Sequence, residues 1–423
     1  MNLLIKNATI IDPANALNDT SDILIQNQEI RAIGSNLSTT LNHDGETIDA
    51  HGHLLIPGLV DLRARFREPG QEHKATIKNE AVAAAQAGVT SVCLQPDTNP
   101  VIDRPSMARM LIEKSHESNG ARIYPLGALT NNLNGKTLSD MWSLSQSGCV
   151  GVSNALNPIK SALVMRRAMQ YAASFDLTVH LYAQDKSLLG NGCIHEGATS
   201  TRLGLPAIPA AAEIVGIARD IALVETTGAK THFMGLSCAR SVEMIANAQQ
   251  RGLPITADVD IHHLVLCEDD MHDFDSNYHI HPPLRTNNDR LALQQGVKQG
   301  VIQAICSDHQ PHDKDSKLTP FSESSAGISG IETLLPLALK LVNEGVLDIN
   351  QTVKAMTQAP ASILGINAGT LSIGAKADCC IINNQQEYEF TSEDMLSSGK
   401  NSPYVGDHFN TKVIHTIIGG KLI

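Results

Sequence analysis

Eight short apolar runs, alternating with helical stretches, restrict the fold of this 423-residue chain more than any other feature. Each run has the length and composition of a buried strand, and helix-forming segments lie between the runs. Strands joined by helices form a parallel sheet, and eight repeats make a (β/α)8 barrel whose active site lies at the strands' carboxyl ends. The predicted strands are 59–62, 90–94, 122–126, 148–153, 178–182, 230–233, 254–257 and 304–307. The predicted helices include 77–87, 106–118, 161–175, 209–226 and 241–251.

The two ends of the chain have a different pattern, in which β-type runs are separated by turn residues. Runs of this kind occupy 2–11, 22–26 and 29–33, and similar runs lie within 371–383 and 413–418. We therefore expect an α/β protein with two domains. Residues 1–53 and 366–423 form a small β-sandwich in this prediction, and residues 54–365 form the barrel.

Composition excludes several classes of partner. The formal net charge of −12 argues against nucleic acid and anionic membranes. No apolar run is long enough to span a bilayer, and the first residues lack a signal-peptide layout. The eight cysteines form no CxxC pair, which favours reduced, buried thiols. We expect a soluble, cytoplasmic protein.

Chemically capable side chains stand at the ends of several predicted strands. His180 and His232 close the apolar runs 177–180 and 229–232 of the fifth and sixth strands, and Asp308 follows the eighth. Two imidazoles and a carboxylate are ligands that suit a metal ion and its activated water. The first strand instead carries Arg63 and Arg65, which point the same way and have no lone pair to give a metal.

A series of short motifs follows in order along the chain. The motifs are FREPGQ at 66–71, QPDTNPVID at 95–103, LGLPAIP at 203–209, HHL at 262–264, PPLR at 282–285 and SDHQPH at 307–312. This series resembles the class I dihydroorotases of the amidohydrolase superfamily. The resemblance runs nearly from end to end and implies a TIM barrel of the amidohydrolase type.

The resemblance also implies which positions once held two metal ions. The six positions are Arg63, Arg65, Asn154, His180, His232 and Asp308. The last three match the family, with Asp308 as the base, whereas the first three replace a His-x-His pair and a bridging ligand. Three positions near the substrate are implied as well. Arg67 and His312 match the family there, and Asp97 replaces an asparagine.

These changes lead to our main hypothesis. We expect a non-catalytic protein without zinc or another cofactor and without a bound substrate. Arg63 and Arg65 are expected to fill the metal volume by bidentate pairing with Asp308. The resemblance implies a role for such a protein in pyrimidine biosynthesis. It would be a subunit that assembles with the aspartate carbamoyltransferase catalytic chain in a large hetero-oligomer and supports that enzyme.

The alternative hypothesis is a working enzyme. One metal at His180, His232 and Asp308 would then serve a dihydroorotase or another cyclic amidohydrolase. Two further His-x-His pairs, at 51–53 and 279–281, lie outside the predicted strand ends and are expected to bind no metal. His262 and His263 are expected to face opposite ways on one strand end.

Overall fold

The computed structural model describes residues 2–37 and 45–423. Its central part is a series of eight parallel strands, numbered one to eight below, in which each strand pairs with the next along the chain. The strands are Leu59–Ala64, Val89–Leu94, Arg122–Pro125 continued by Gly127–Ala128, Val152–Ser153, Val179–Leu181, Thr231–Phe233, Ile255–Asp260 and Ala304–Cys306.

The two ends of this series also meet. The backbone N–H of Arg65, just after strand one, donates to the carbonyl of His309, just after strand eight, at 2.8 Å. Ala64 and His309 form a parallel bridge at the same place. The side chains that follow strands one, seven and eight are thereby brought together. The predicted α/β class is confirmed.

Helices lie between the strands because amphipathic segments bury one apolar face against them. They are Ile77–Gln86, Pro105–Ser118, Met141–Gln146, Ala162–Ala173, Lys186–Leu189, Ala198–Leu203, Ala211–Thr227, Ala239–Gln250, Ile261–Val265, Asn287–Lys298, Leu334–Asn343, Ile349–Met356 and Gln358–Leu364. None of the described helices is both long and apolar enough to cross a membrane.

The two ends of the chain share one eight-stranded sheet with its own apolar core. The strand Leu54–Pro57 lies inside this sheet, between Asn2–Asp12 and Cys379–Asn383. The other members are Leu17–Gln26, Glu29–Gly34, Glu46–Asp49, Lys412–Ile418 and Lys421–Leu422. Two-stranded pairs join Ile194–His195 to Ala207–Ile208 and Tyr388–Glu389 to His408–Phe409. The division into domains at 53/54 and 365/366 stays a prediction.

Candidate active site

Arg63 lies at the centre of the charged cluster formed where strands one, seven and eight end. Its side chain is about 1% exposed and is ion-paired with three carboxylates. Its Nη2 lies 3.3 Å from Asp258 and also contacts Asp260, and its Nε lies 3.0 Å from Asp308. Strand alternation explains the placement, because Asp258 and Asp260 share one face of strand seven.

Arg65, two residues further along, extends the same cluster. Its Nε donates to Asp97 at 2.8 Å and its Nη1 donates to Asp308 at 3.3 Å. The predicted pairing of both arginines with Asp308 is therefore confirmed. The geometry of this pairing differs from the expected bidentate fork. Both guanidiniums approach Oδ1 of Asp308, while Gln310 donates to Oδ2 of Asp308 at 2.8 Å.

Electrostatics holds these groups in their charged forms. Burial acts to raise the pKa of Asp258, but Arg63 and then His232 lower it below its usual range. Burial acts to lower the pKa of Arg63, but Asp258 and Asp308 raise it above the ordinary value. Buried charges of this kind persist only when they are paired, so the cluster is one interdependent unit.

The three kept metal positions are not assembled as a ligand set. His232 uses both ring nitrogens, since Nε2 lies 2.9 Å from Asp258 and Nδ1 lies 2.8 Å from the Thr256 hydroxyl. His180 is buried beside it, with ring centroids 5.2 Å apart, and its pKa is held well below the usual value by burial and by His232. Within the described ranges, His180, His232 and Asp308 do not form a group whose ligand atoms all lie within 4.8 Å of one another.

Asn154 is turned into a network of its own. The Thr130 hydroxyl donates to its oxygen at 2.7 Å, and its amide nitrogen donates to the carbonyls of Leu133 and Asn157. Both amide atoms of Asn154 are thus hydrogen-bonded to the loops around it. Arginines at two positions and this amide at a third do not supply the donor set of a two-metal centre.

A small pocket beside Arg65 is lined by two of the three expected substrate positions, Arg67 and Asp97. Arg67 donates from Nε to the Pro311 carbonyl at 2.9 Å, and its Nη2 lies 3.0 Å from Nε2 of His312. Burial and the neighbouring Arg65 lower the pKa of Arg67 to about 10, so the guanidinium stays charged at neutral pH. The pocket has a cavity volume of about 20 Å³, which is room for about one water molecule.

Several polar atoms at this pocket have no partner. In the described part of the chain, Nη2 of Arg65 and both amide atoms of Gln95 are buried without a hydrogen bond. Such groups cost about 1–3 kcal/mol each when left unsatisfied. These atoms are therefore available to hydrogen-bond a ligand that enters when neighbouring side chains move, although Asp97 opposes an anion at one side.

Comparison with known proteins places the chain in a family. Residues 52–241 match the family model described as dihydro-orotase-like. The chain is 42% identical over its whole length to a "dihydroorotase-like protein" of Pseudomonas aeruginosa, and 39% identical to a "dihydroorotase" of Trichlorobacter lovleyi, with 99% of each relative covered. This chain belongs to the dihydroorotase-like family.

Solved structures agree on the fold of this dihydroorotase-like chain. The L-hydantoinase of Arthrobacter aurescens superposes with a TM-score of 0.87 at 21% identity, covering all of this chain and 95% of that one. The dihydropyrimidinase of Brevibacillus agri gives 0.85 at 21% identity, again over all of this chain and 95% of that one.

Two sequence-based predictions are corrected by these comparisons. The prediction that the chain is not an enzyme is contradicted, because full-length relatives at 36–39% identity are named dihydroorotase. The prediction that it uses no cofactor is contradicted as well, because enzymes of this family are metal-dependent, typically with zinc. The donors at the family's own metal positions nevertheless do not fit that metal, as their contacts above show.

Sequence reasoning missed Asp258 and Asp260, the two partners of Arg63 from strand seven. The prediction ended this strand at residue 257, whereas it runs to Asp260. The signal was present as two acids two residues apart, directly after an apolar run. The expectation that His262 and His263 face opposite ways is wrong too, since both lie in the helix Ile261–Val265 with ring centroids 4.8 Å apart.

Proposed function

We propose that this chain is a metal-dependent amidohydrolase, built on a (β/α)8 barrel, that acts on a small cyclic amide carrying a carboxylate. Dihydroorotase activity in pyrimidine biosynthesis is the reaction of this class that we propose. In that reaction water adds to a ring carbonyl and the bond between that carbon and the ring nitrogen breaks. The carbon becomes a carboxylate, and the nitrogen takes up a proton from the water and ends as the NH2 of a carbamoyl group. The observation that carries the proposal is the full-length similarity to a protein named dihydroorotase.

The side chains around the pocket beside strand one suit a substrate of this kind, which needs the pocket to widen by side-chain movement. Arg67 and the unpartnered Nη2 of Arg65 offer charged donors, and Gln95 offers an amide that both donates and accepts. A carboxylate suits the guanidiniums, and a cyclic amide suits the Gln95 side chain. Arg65 already neutralises Asp97 at 2.8 Å, which reduces the repulsion between Asp97 and an anionic substrate.

The test uses the purified full chain with dihydroorotate, and with carbamoyl aspartate for the reverse reaction. Turnover is measured as purified, after chelation, and after adding back Zn²⁺, Co²⁺ or Mn²⁺. We expect metal-dependent interconversion of the two compounds. Folded protein that gives no turnover with any of these metals would refute the activity.

Replacing Arg67 distinguishes a loss of substrate binding from a general loss of folding. Arg67→Ala should raise KM by about 10- to 100-fold, the amount expected for one lost charge-assisted contact. The matched control is Arg240→Ala, because Arg240 is an exposed arginine on the helix Ala239–Gln250 and is paired with the exposed Glu243. Equal KM values in the two variants would exclude Arg67 from substrate binding.

We also propose that the chain assembles with the catalytic chain of aspartate carbamoyltransferase in a large hetero-oligomer. The motif resemblance supports this partner. Exposed aromatic side chains offer a contact surface, since Trp142 is about half exposed and Phe175 packs edge-to-face on Tyr171 at 5.5 Å. Tyr171 in turn donates to Asp140, at the start of the helix that carries Trp142.

Size-exclusion chromatography with light scattering of the mixed chains tests the assembly. Trp142→Ser should weaken it, whereas Phe274→Ser, which removes an equally exposed aromatic side chain elsewhere, should not. Two separate peaks at micromolar concentrations of both chains would contradict the partnership.

A further inference from the structure

Three buried side chains with unpaired ligand atoms converge just beyond strand seven. Asp260 ends the strand, and His262 and His263 lie in the helix Ile261–Val265 that follows. Their ligand atoms all lie within 4.8 Å of one another, and each side chain is at least 98% buried. In the described part of the chain, Oδ2 of Asp260, Nε2 of His262 and Nδ1 of His263 have no hydrogen-bond partner.

The spacing of these atoms suits a shared ion better than direct hydrogen bonds. Oδ2 of Asp260 lies 3.7 Å from Nε2 of His262 and 3.6 Å from Nδ1 of His263. Hydrogen bonds between such atoms span about 2.7–3.2 Å. Ligands bound tetrahedrally to zinc at about 2.0–2.1 Å lie about 3.3–3.5 Å apart. Small side-chain shifts therefore bring all three atoms onto one ion.

The atoms behind the ligands orient them for this role. Nε2 of His263 lies 3.2 Å from the Pro282 carbonyl, which only accepts, so this nitrogen carries the proton and Nδ1 keeps its lone pair. The other oxygen of Asp260 accepts from Arg63. Metal ligands are held in place by second contacts of this kind.

The charge around the three residues leaves room for a dication. The ion-paired cluster contains two more carboxylates than guanidiniums, and one negative charge remains even when the nearby Arg67 is counted. Its members are Asp97, Asp258, Asp260, Asp308, Arg63 and Arg65. Arg63 repels a cation at Asp260, but Asp258 and Asp308 also pair with it and reduce that repulsion.

We propose that Asp260, His262 and His263 bind one divalent transition-metal ion such as Zn²⁺, leaving a fourth position open. Two imidazoles and a carboxylate are a donor set that suits zinc. The site differs from the six positions that the family resemblance implies. The proposal goes beyond the proposed function, since that function does not say which residues bind a metal. Its test is also independent of that function, because metal content is measured whether or not the protein turns over a substrate.

The test measures zinc bound to the full chain by mass spectrometry after dialysis, and cobalt by its visible spectrum. We expect one tightly bound ion with the spectrum of four-coordinate cobalt. His263→Asn and His262→Gln should weaken zinc binding by at least the roughly 10- to 100-fold that even an indirect contact is worth. The matched control is His180→Gln, which changes another buried, unpartnered histidine at a family position and should leave zinc bound.

Anomalous diffraction at the zinc edge on wild-type crystals gives an answer that needs no variant. A peak among the three ligand atoms supports the site. A peak beside His180 instead, or wild-type protein that binds no zinc or cobalt, overturns it. Zinc binding that survives in folded His262→Gln and His263→Asn also overturns it. Wild-type protein that binds zinc at this site but gives no turnover would count against the proposed activity and not against the metal site.

Discussion

The ion pair between Arg122 and Asp378 joins the central strands to the terminal sheet, and its strength can be measured. Nη1 of Arg122 lies 2.5 Å from one oxygen of Asp378, and Nη2 lies 3.0 Å from the other. The backbone N–H of Gly419 also donates to Asp378 at 2.7 Å. Asp378 is buried, whereas Arg122 keeps about a quarter of its side chain in solvent.

This asymmetry predicts different costs for the two single changes. Arg122→Met leaves a buried carboxylate without its cation, so we expect a loss of about 3 kcal/mol in the free energy of unfolding. Asp378→Asn leaves a guanidinium that still reaches water, so we expect about 2 kcal/mol. The double variant should lose about 3–4 kcal/mol, which gives a coupling energy of about 1–2 kcal/mol.

Thermal and urea unfolding of the four proteins measures these values. For 423 residues the entropy of unfolding makes 1 kcal/mol worth about 1 °C in Tm. The control is the same cycle on Lys230 and Asp176, whose 2.7 Å contact is solvent-exposed and should couple by about 0–0.5 kcal/mol. A buried pair that couples no more strongly than this control would refute the reasoning.

Further outcomes are expected elsewhere in the molecule. Arg63→Met should destabilise the protein by about 3–5 kcal/mol in urea unfolding, because it leaves several carboxylates buried without their shared cation; unchanged stability would contradict the pairing. Burial acts to raise the pKa of Glu80, but the hydrogen bond with His309 at 2.8 Å acts against burial, and the resulting pKa lies below its usual value. The stability lost in Glu80→Gln should therefore be present above about pH 4.3 and should shrink as the pH falls below it. Gly120→Ala should cost about 1–3 kcal/mol, since the new methyl would lie 2.4 Å from the Ala81 backbone, and a Tm equal to wild type would show that the loop yields. All eight cysteines are buried and free, so a thiol reagent should label the protein only after unfolding.

The strand series was predictable from sequence because buried parallel strands are continuous apolar runs. The first strand was expected at 59–62 and is Leu59–Ala64, and the helix expected at 77–87 is Ile77–Gln86. The fourth strand was expected at 148–153 but is only Val152–Ser153, because residues 148–151 form a turn and a short link before it. Apolar content alone does not reveal at which residue the hydrogen-bonded pairing of two strands starts.

The candidate site was predictable where a residue type excludes metal binding at its position. Arginine cannot ligate a metal, so the pairing of Arg63 and Arg65 with Asp308 followed from charge alone. The partners from strand seven did not follow, because the end of that strand depends on pairing with strand eight, which links Asp260 to Cys306. Local sequence carries little information about such long-range register.

The terminal sheet sets the order in which this protein can be completed during synthesis. The strand Leu54–Pro57 lies between Asn2–Asp12 and Cys379–Asn383, so one of its edges has no partner until the ribosome has made a further 320 or so residues. At about 5–20 residues per second this takes roughly 15–65 s. Throughout that interval an apolar strand edge is open to pairing with other nascent chains. Slowing translation within 58–378 should therefore increase aggregation of this protein more than the same delay placed after residue 383, when the partner strand has been made.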